Sequence, residues 1–128
     1  MPYKLLIVDD EADVCEFAAN FFRKRKIEVS TVLSGEEALQ AVDKEKPHLI
    51  LLDIKMSGID GLETLRRLKE KDQSVKVIMV TGRKPEDDDS LQKCRQLGAV
   101  DYIHKPLELD ELERVVMSEL QGEKRKTV

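Results

Sequence analysis

The chain has 128 residues, of which 41% are hydrophobic and 38% charged, the size and balance of one folded domain rather than of a disordered segment. Its formal net charge of −4 argues against a general nucleic-acid-binding surface, and no apolar run approaches membrane-spanning length. Nothing after Met1-Pro2-Tyr3-Lys4 has the form of an export signal, so a cytoplasmic protein is expected.

Leu5-Leu6-Ile7-Val8 is a short, wholly apolar run that ends in Asp9-Asp10-Glu11. Val14, Phe17, Ala18, Phe21 and Phe22 then recur at helical spacing, with Arg23-Lys24-Arg25-Lys26 closing the helix where cations suit its dipole. Asp9 or Asp10 could serve as its N-cap. Ile27 to Leu33 reads as a less apolar strand, and Ser34-Gly35-Glu36-Glu37 opens a second helix that Pro47 stops. Leu49-Ile50-Leu51-Leu52-Asp53 follows, an aliphatic run ending on a carboxylate, as in a parallel strand buried on both faces. Beyond the glycine-bearing loop Lys55 to Gly61, Asp60 caps a helix carrying Leu62, Leu65 and Leu68.

Val75 to Val80 is the next apolar run, ending at Thr81-Gly82. Residues 83–90 are polar and break regular structure, so a loop is expected there. A helix through Leu91, Cys94 and Leu97 closes on Gly98. Val100 to Ile103 reads as an edge strand ending at Lys105-Pro106, and Leu109, Leu112, Val115, Val116 and Leu120 mark a last amphipathic helix that Gly122 terminates. Cys15 and Cys94 fall within helical patterns and read as buried core residues. Five strands alternating with five helices predict a doubly wound α/β domain with a five-stranded parallel sheet, spanning residues 3–121 and followed by a charged tail at 122–128.

In a parallel sheet the C-terminal ends of all strands lie on one edge, where open α/β folds bind ligands. Asp9 and Asp10 follow the first strand, Asp53 ends the third, Thr81 the fourth, and Lys105 follows the fifth. Three crowded carboxylates repel unless a cation or proton intervenes, and an incomplete all-oxygen set suits Mg2+ that keeps waters and a phosphate. Lys105 offers a point charge and Thr81 a hydroxyl, both suited to phosphoryl oxygens. The Gly-rich phosphate loops of dinucleotide enzymes and nucleoside triphosphatases are missing. The pattern describes a carboxylate, Asp53, that accepts a phosphoryl group beside a metal.

These residues resemble the receiver domain of two-component response regulators. The resemblance is carried by Leu5 to Glu11, Leu51 to Met56 with Gly58-Ile59-Asp60-Gly61, Val80-Thr81, and Gly98 to Pro106, and it runs from about Tyr3 to Gln121. It implies a (βα)5 flavodoxin-like sandwich in which Asp53 takes a phosphoryl group from a sensor histidine kinase or phosphotransfer protein. It implies Mg2+ held by Asp10, Asp53 and the backbone carbonyl of Lys55, with Asp9 acting partly through water. Lys105 and Thr81 would bind phosphoryl oxygens, and Thr81 and Tyr102 would form the coupled switch. The fourth helix, fifth strand and fifth helix would be the output face for an effector protein or a phosphorylation-dependent homodimer, with no nucleic acid or membrane bound directly. In the family the peptide corresponding to Lys105-Pro106 is commonly cis, which would aim the Lys, a state the sequence alone does not decide.

Some features depart from the family. Ser57 stands where Pro is usual, which predicts a looser loop, and Gly82 where Ala is more common. The segment after Thr81 is slightly long and strongly acidic at Glu86-Asp87-Asp88-Asp89, read as a solvated loop and helix start in preference to a feature that biases partner choice on the output face. Lys55 and Arg83 lie two residues past Asp53 and Thr81, where the resemblance implies influence on the lifetime of the acyl phosphate. His48 and His104 read as incidental, Asp13 and Asp43 as helix-surface charges, and Lys124-Arg125-Lys126 as a solvated tail. Two other functions are weighed: a Mg2+-dependent phosphohydrolase forming an aspartyl phosphate, and an interaction module that works without phosphorylation. The first wants its nucleophile after the first strand with a second Asp two residues on, a spacing that Asp9-Asp10-Glu11 lacks. The second is disfavoured because the acceptor and Lys are present.

Overall fold

The structure is a computed structural model that describes residues 2–122 except residue 83; the expectations for Arg83 and for the tail at 123–128 lie outside the described residues. The elements are β1 (Lys4–Val8), α1 (Ala12–Arg23), β2 (Glu28–Val32), α2 (Gly35–Lys44), β3 (Leu49–Asp53), α3 (Gly61–Lys71), β4 (Val77–Thr81), α4 (Pro85–Gln96), β5 (Asp101–His104) and α5 (Leu109–Leu120). All strand pairs are parallel, in the order β2-β1-β3-β4-β5, so the expected (βα)5 doubly wound, flavodoxin-like sandwich is what forms. The chain starts at the second strand position, winds outward to β2, then crosses back to β3 and on to β5. That reversal opens a crevice between the C-terminal ends of β1 and β3.

Side chains alternate across the strands and build two cores. Leu5, Ile7, Leu49, Leu51, Ile78, Val80 and Ile103 face α1 and α5, where Phe22, Leu112 and Val116 meet them. Leu6, Val8, Ile50, Leu52, Val77 and Met79 face α2, α3 and α4, against Ala38, Leu65, Leu68, Leu91 and Cys94. Both cysteines are free and buried, as expected. The helices start where their caps dictate: the Ser34 hydroxyl accepts the Glu37 N–H at 3.1 Å, and the Asp60 carboxylate accepts the Glu63 N–H at 2.8 Å.

Three local expectations are corrected. The buried stripe of α1 is Cys15, Ala18, Ala19 and Phe22, while Phe17 is 48% exposed. Ala18 and Ala19 are the small residues that let the helix lie close on the sheet, which turns Phe17 outward. The cap position of α1 is Glu11 rather than Asp9 or Asp10, although the Asp9 carboxylate accepts the Glu11 N–H at 2.9 Å. Residues 83–90 are not a loop throughout, because α4 begins at Pro85. Proline at the first helical position loses no hydrogen bond, and Glu86, Asp87 and Asp88 in the first turn suit the positive end of the dipole.

Candidate functional site

Alternation decides which polar residues meet. Asp53 continues the Leu49, Leu51 series and Asp9 the Leu5, Ile7 series, so both carboxylates emerge on the α1/α5 side at the crevice. Lys105 follows Ile103 in the same sense, and its N–H donates to the Thr81 carbonyl at 2.8 Å. Its Nζ lies 3.1 Å from Asp53 Oδ2, 3.1 Å from Asp9 Oδ2 and 3.3 Å from Glu11 Oε1. The Lys105-Pro106 peptide is cis.

The loop after Asp53 folds back onto the same corner. The Lys55 N–H donates to Asp53 Oδ1 at 3.3 Å. Ser57 donates to Asp10 Oδ2 with its N–H at 3.0 Å and its hydroxyl at 3.3 Å. The looser loop expected from Ser57 is therefore not found: a proline there would lack the N–H, and Ser57 ties the loop to Asp10. Gly61 explains the glycine at the start of α3, since a methyl group on it would sit 2.2 Å from the Asp53 carbonyl oxygen and 2.6 Å from Ile54 Cα. Its N–H donates to the Ile54 carbonyl at 2.7 Å. The helix can reach the end of β3 only through a residue without a side chain.

Asp9, Asp10 and Asp53 each present a carboxylate oxygen, all within 4.8 Å of one another. Asp53 is 5% exposed, and burial, then the charge of Asp9, push its carboxyl up to about 6 against the opposing pull of Lys105 and the Lys55 N–H. Burial works against the Lys105 charge, but the Asp53 and Asp9 carboxylates outweigh it and hold the ammonium above the usual lysine range. One lysine thus serves an excess of negative charge. An all-oxygen, anionic cluster with an unsatisfied carboxylate repulsion fits a hard divalent cation.

Thr81 and Tyr102 belong to the other face. Thr81 continues the Val77, Met79 series and Tyr102 pairs with Met79, so the two are diagonal neighbours on the α4 side of the sheet. The Thr81 hydroxyl donates to the Gly82 carbonyl at 3.3 Å, turned toward its own chain. Tyr102 is half-buried, with the Arg95 guanidinium 4.6 Å over its ring and the His104 edge against it at 5.2 Å. The structure therefore brings Asp9, Asp10, Asp53 and Lys105 into one corner and sets Thr81 and Tyr102 beside it on the opposite face.

Two residues of the site escaped the sequence reading. Glu11 is the third partner of Lys105, signalled only by its place in the acidic triplet. Asp87 is 2% exposed and lines a cavity of about 270 Å3 with Asp53, Lys55, Gly82, Lys84 and Lys105; its signal was an acid three residues into a helix begun by Pro85. His48 has a structural role, its Nδ1 accepting the Lys4 N–H at 2.9 Å where β1 begins. Asp43 pairs with Lys71 at 3.0 Å on the helix surface.

With this geometry in view, comparison with known proteins defines the class. The response regulator receiver domain family matches residues 5–117, and the chain belongs to that family. It is 36% identical over 116 residues to sporulation initiation phosphotransferase F of Bacillus subtilis (strain 168), covering 91% of this chain and 92% of that protein. It is 35% identical to the alkaline phosphatase synthesis transcriptional regulatory protein PhoP of the same organism, covering 83% of this chain but 43% of that longer protein. Among solved structures, a response regulator from Chloroflexus aurantiacus J-10-fl superposes with a TM-score of 0.86 at 33% identity, covering 94% of this chain and 99% of that one. The chain is a phosphoacceptor receiver domain of two-component signalling. No helix among the described residues is long and apolar enough to cross a membrane.

Proposed function

We propose that Asp53 is the phosphoacceptor and that the acid corner is its phosphorylation site. The observation that carries this reading is the Lys105 ammonium, 3.1 Å from both Asp53 and Asp9 in the crevice where the winding of the sheet reverses. Asp53 Oδ attacks the phosphorus of a phosphohistidine, the P–N bond breaks, and the imidazole keeps the electron pair and takes up a proton. Lys105 binds one phosphoryl oxygen and Thr81 another, while the Lys55 N–H steadies the carboxylate during attack. Asp9, Asp10, Asp53 and the Lys55 carbonyl would hold Mg2+, which when bound neutralises charge on the acceptor and phosphoryl oxygens. Ser57 keeps Asp10 turned into that corner. The chain assists its own phosphorylation and the later hydrolysis of the acyl phosphate, and is not otherwise an enzyme.

The phosphodonor, a sensor histidine kinase or phosphotransfer protein, approaches from the α1 side. A groove of about 540 Å3 lined by Val14, Phe17, Pro106 and Leu107 shares Glu11 and Lys105 with the acceptor cavity, so a donor delivering to Asp53 would cover it. Thr81, drawn to the phosphoryl group, leaves room for Tyr102 to repack, and the α4-β5-α5 face changes. An effector protein or a second copy of the chain reads that face in the cytoplasm. Incubation with acetyl phosphate, with and without Mg2+, followed by intact mass, tests the site. The native chain gains one phosphoryl group only with Mg2+ and Asp53→Ala gains none; a gain that survives Asp53→Ala would place the acceptor elsewhere.

A further inference from the structure

Asp87 has no part in the reaction as described, yet with Asp9 and Asp53 it is one of three buried charged residues among those described. Such groups are rarely buried unless paired. Its Oδ2 accepts the Lys84 N–H at 3.1 Å, closing the first turn of α4, and its Oδ1 lies 3.0 Å from Lys55 Nζ. Glu86 adds a weaker contact to the same ammonium at 3.7 Å. A methyl group on Gly82 would come 2.5 Å from Asp87 Oδ2, so this carboxylate occupies the space beside the backbone that follows Thr81. The backbone N–H of Lys55 meanwhile touches Asp53. Lys55 thus starts at the acceptor and ends at α4.

We propose that Asp87 is a positioning residue of the acceptor pocket: it holds the Lys55 ammonium on α4 until Asp53 is phosphorylated. Lys55 then exchanges Asp87 for the phosphoryl oxygens and releases the first turn of that helix. The inference rests on Asp53 being the phosphoacceptor. A phosphoryl group brings nearly two negative charges, about twice what one carboxylate offers a flexible ammonium within reach of both. Asp87 then faces a like charge across a shared cavity without its counter-ion, and a buried unpaired carboxylate moves toward water. It cannot move without straining or breaking its bond to the Lys84 N–H. The charge at Asp53 is so transmitted to α4 by a route separate from Thr81 and Tyr102.

Two measurements on the native chain, Asp87→Asn, Lys55→Met and the double variant test this. Asp87→Asn keeps an oxygen for the Lys84 N–H but loses the charge, so Lys55 is free to shield the phosphoryl group. Decay of phospho-Asp53 after donor removal, followed by intact mass, slows about threefold in Asp87→Asn, the scale of a partly exposed ion pair. In the Lys55→Met background the same substitution leaves the decay rate unchanged. Equal slowing with and without Lys55, or no slowing at all, overturns the proposal. Amide exchange over residues 84–88 accelerates on phosphorylation of the native chain and is already fast in unphosphorylated Lys55→Met; exchange indifferent to both changes overturns it as well. A native chain that accepts no phosphoryl group overturns the phosphoacceptor reading and this inference together, whereas phosphorylation with silent Asp87 variants overturns the inference alone.

Discussion

Asp53 lies between two flanks of opposite character. On one side, Leu5, Ile7, Leu49 and Leu51 are buried without exception, and α1 adds Phe22 and two alanines against them. On the other, α4 buries only Asp87, Leu91 and Cys94, one of which is a carboxylate. The first flank fixes the backbone that carries Asp9 and Asp53, so carboxylates that repel one another are held together by the apolar packing behind them. On the second flank α4 has less apolar burial: Leu91 and Cys94 seat it on the sheet, and Asp87 in its first turn meets Lys55 of the loop after β3.

The contrast can be broken most forcefully from the rigid side. Phe22→Ala removes a fully buried ring and costs about 3–5 kcal/mol in urea unfolding, lowering amide protection across the sheet. Leu91→Ala costs less, about 2 kcal/mol, and its loss of protection stays within α4. Equal and global losses from both would remove the distinction between the flanks. Gly61→Ala drives a methyl group into the Asp53 backbone; it costs about 1–3 kcal/mol and, by disturbing the carboxylate, weakens divalent-cation binding measured by calorimetry.

The repulsion stored on the rigid side is open to a pH test. Asp53 titrates at about 6 in the fold against an ordinary value of 3.8, so the native state holds an extra proton between those values and stability falls as pH rises through that window. Above it the ionised carboxylate is a standing cost. Asp53→Asn therefore stabilises the metal-free chain at pH 7.5 by about 1–3 kcal/mol, and the gain vanishes below pH 4. Added Mg2+ raises the melting temperature of the native chain and not of the variant. The smallest effect belongs to the surface of α3. Arg66 and Arg67 hold the Glu63 carboxyl down at about 2, so its contribution is present above the ordinary glutamate range and lost as pH falls toward 2. Glu63→Gln changes thermal stability little at pH 7 and flattens its acid dependence below pH 4.

Much of this protein was legible in its sequence. Three aliphatic runs with Asp9, Asp53 or Thr81 at their ends gave the centre of the sheet and its functional edge, because a strand buried on both faces has to be apolar throughout. The motifs around Asp53 and Lys105 named the family. The element least well read was the start of α4, where polar residues look like a loop until Pro85 and the acids behind it are placed on a helix axis. Local sequence cannot show whether such a segment has a partner to rest on, and here the partner is Lys55, far away in the chain.

The sequence by itself determined the alternation of strands and helices, the apolar faces, and the types of group gathered at the sheet edge, all of which follow from periodicity and from the need to bury hydrocarbon. Only the tertiary structure decided which of those groups touch. The pleat put Asp9, Asp53 and Lys105 on one face and Thr81 with Tyr102 on the other. A proline replaced by Ser57 became a double hydrogen bond to Asp10, and an acid from the middle of a charged run became the buried partner of Lys55. Contacts of that kind depend on distances of an ångström between residues far apart in the chain, and those are set by packing rather than by sequence pattern.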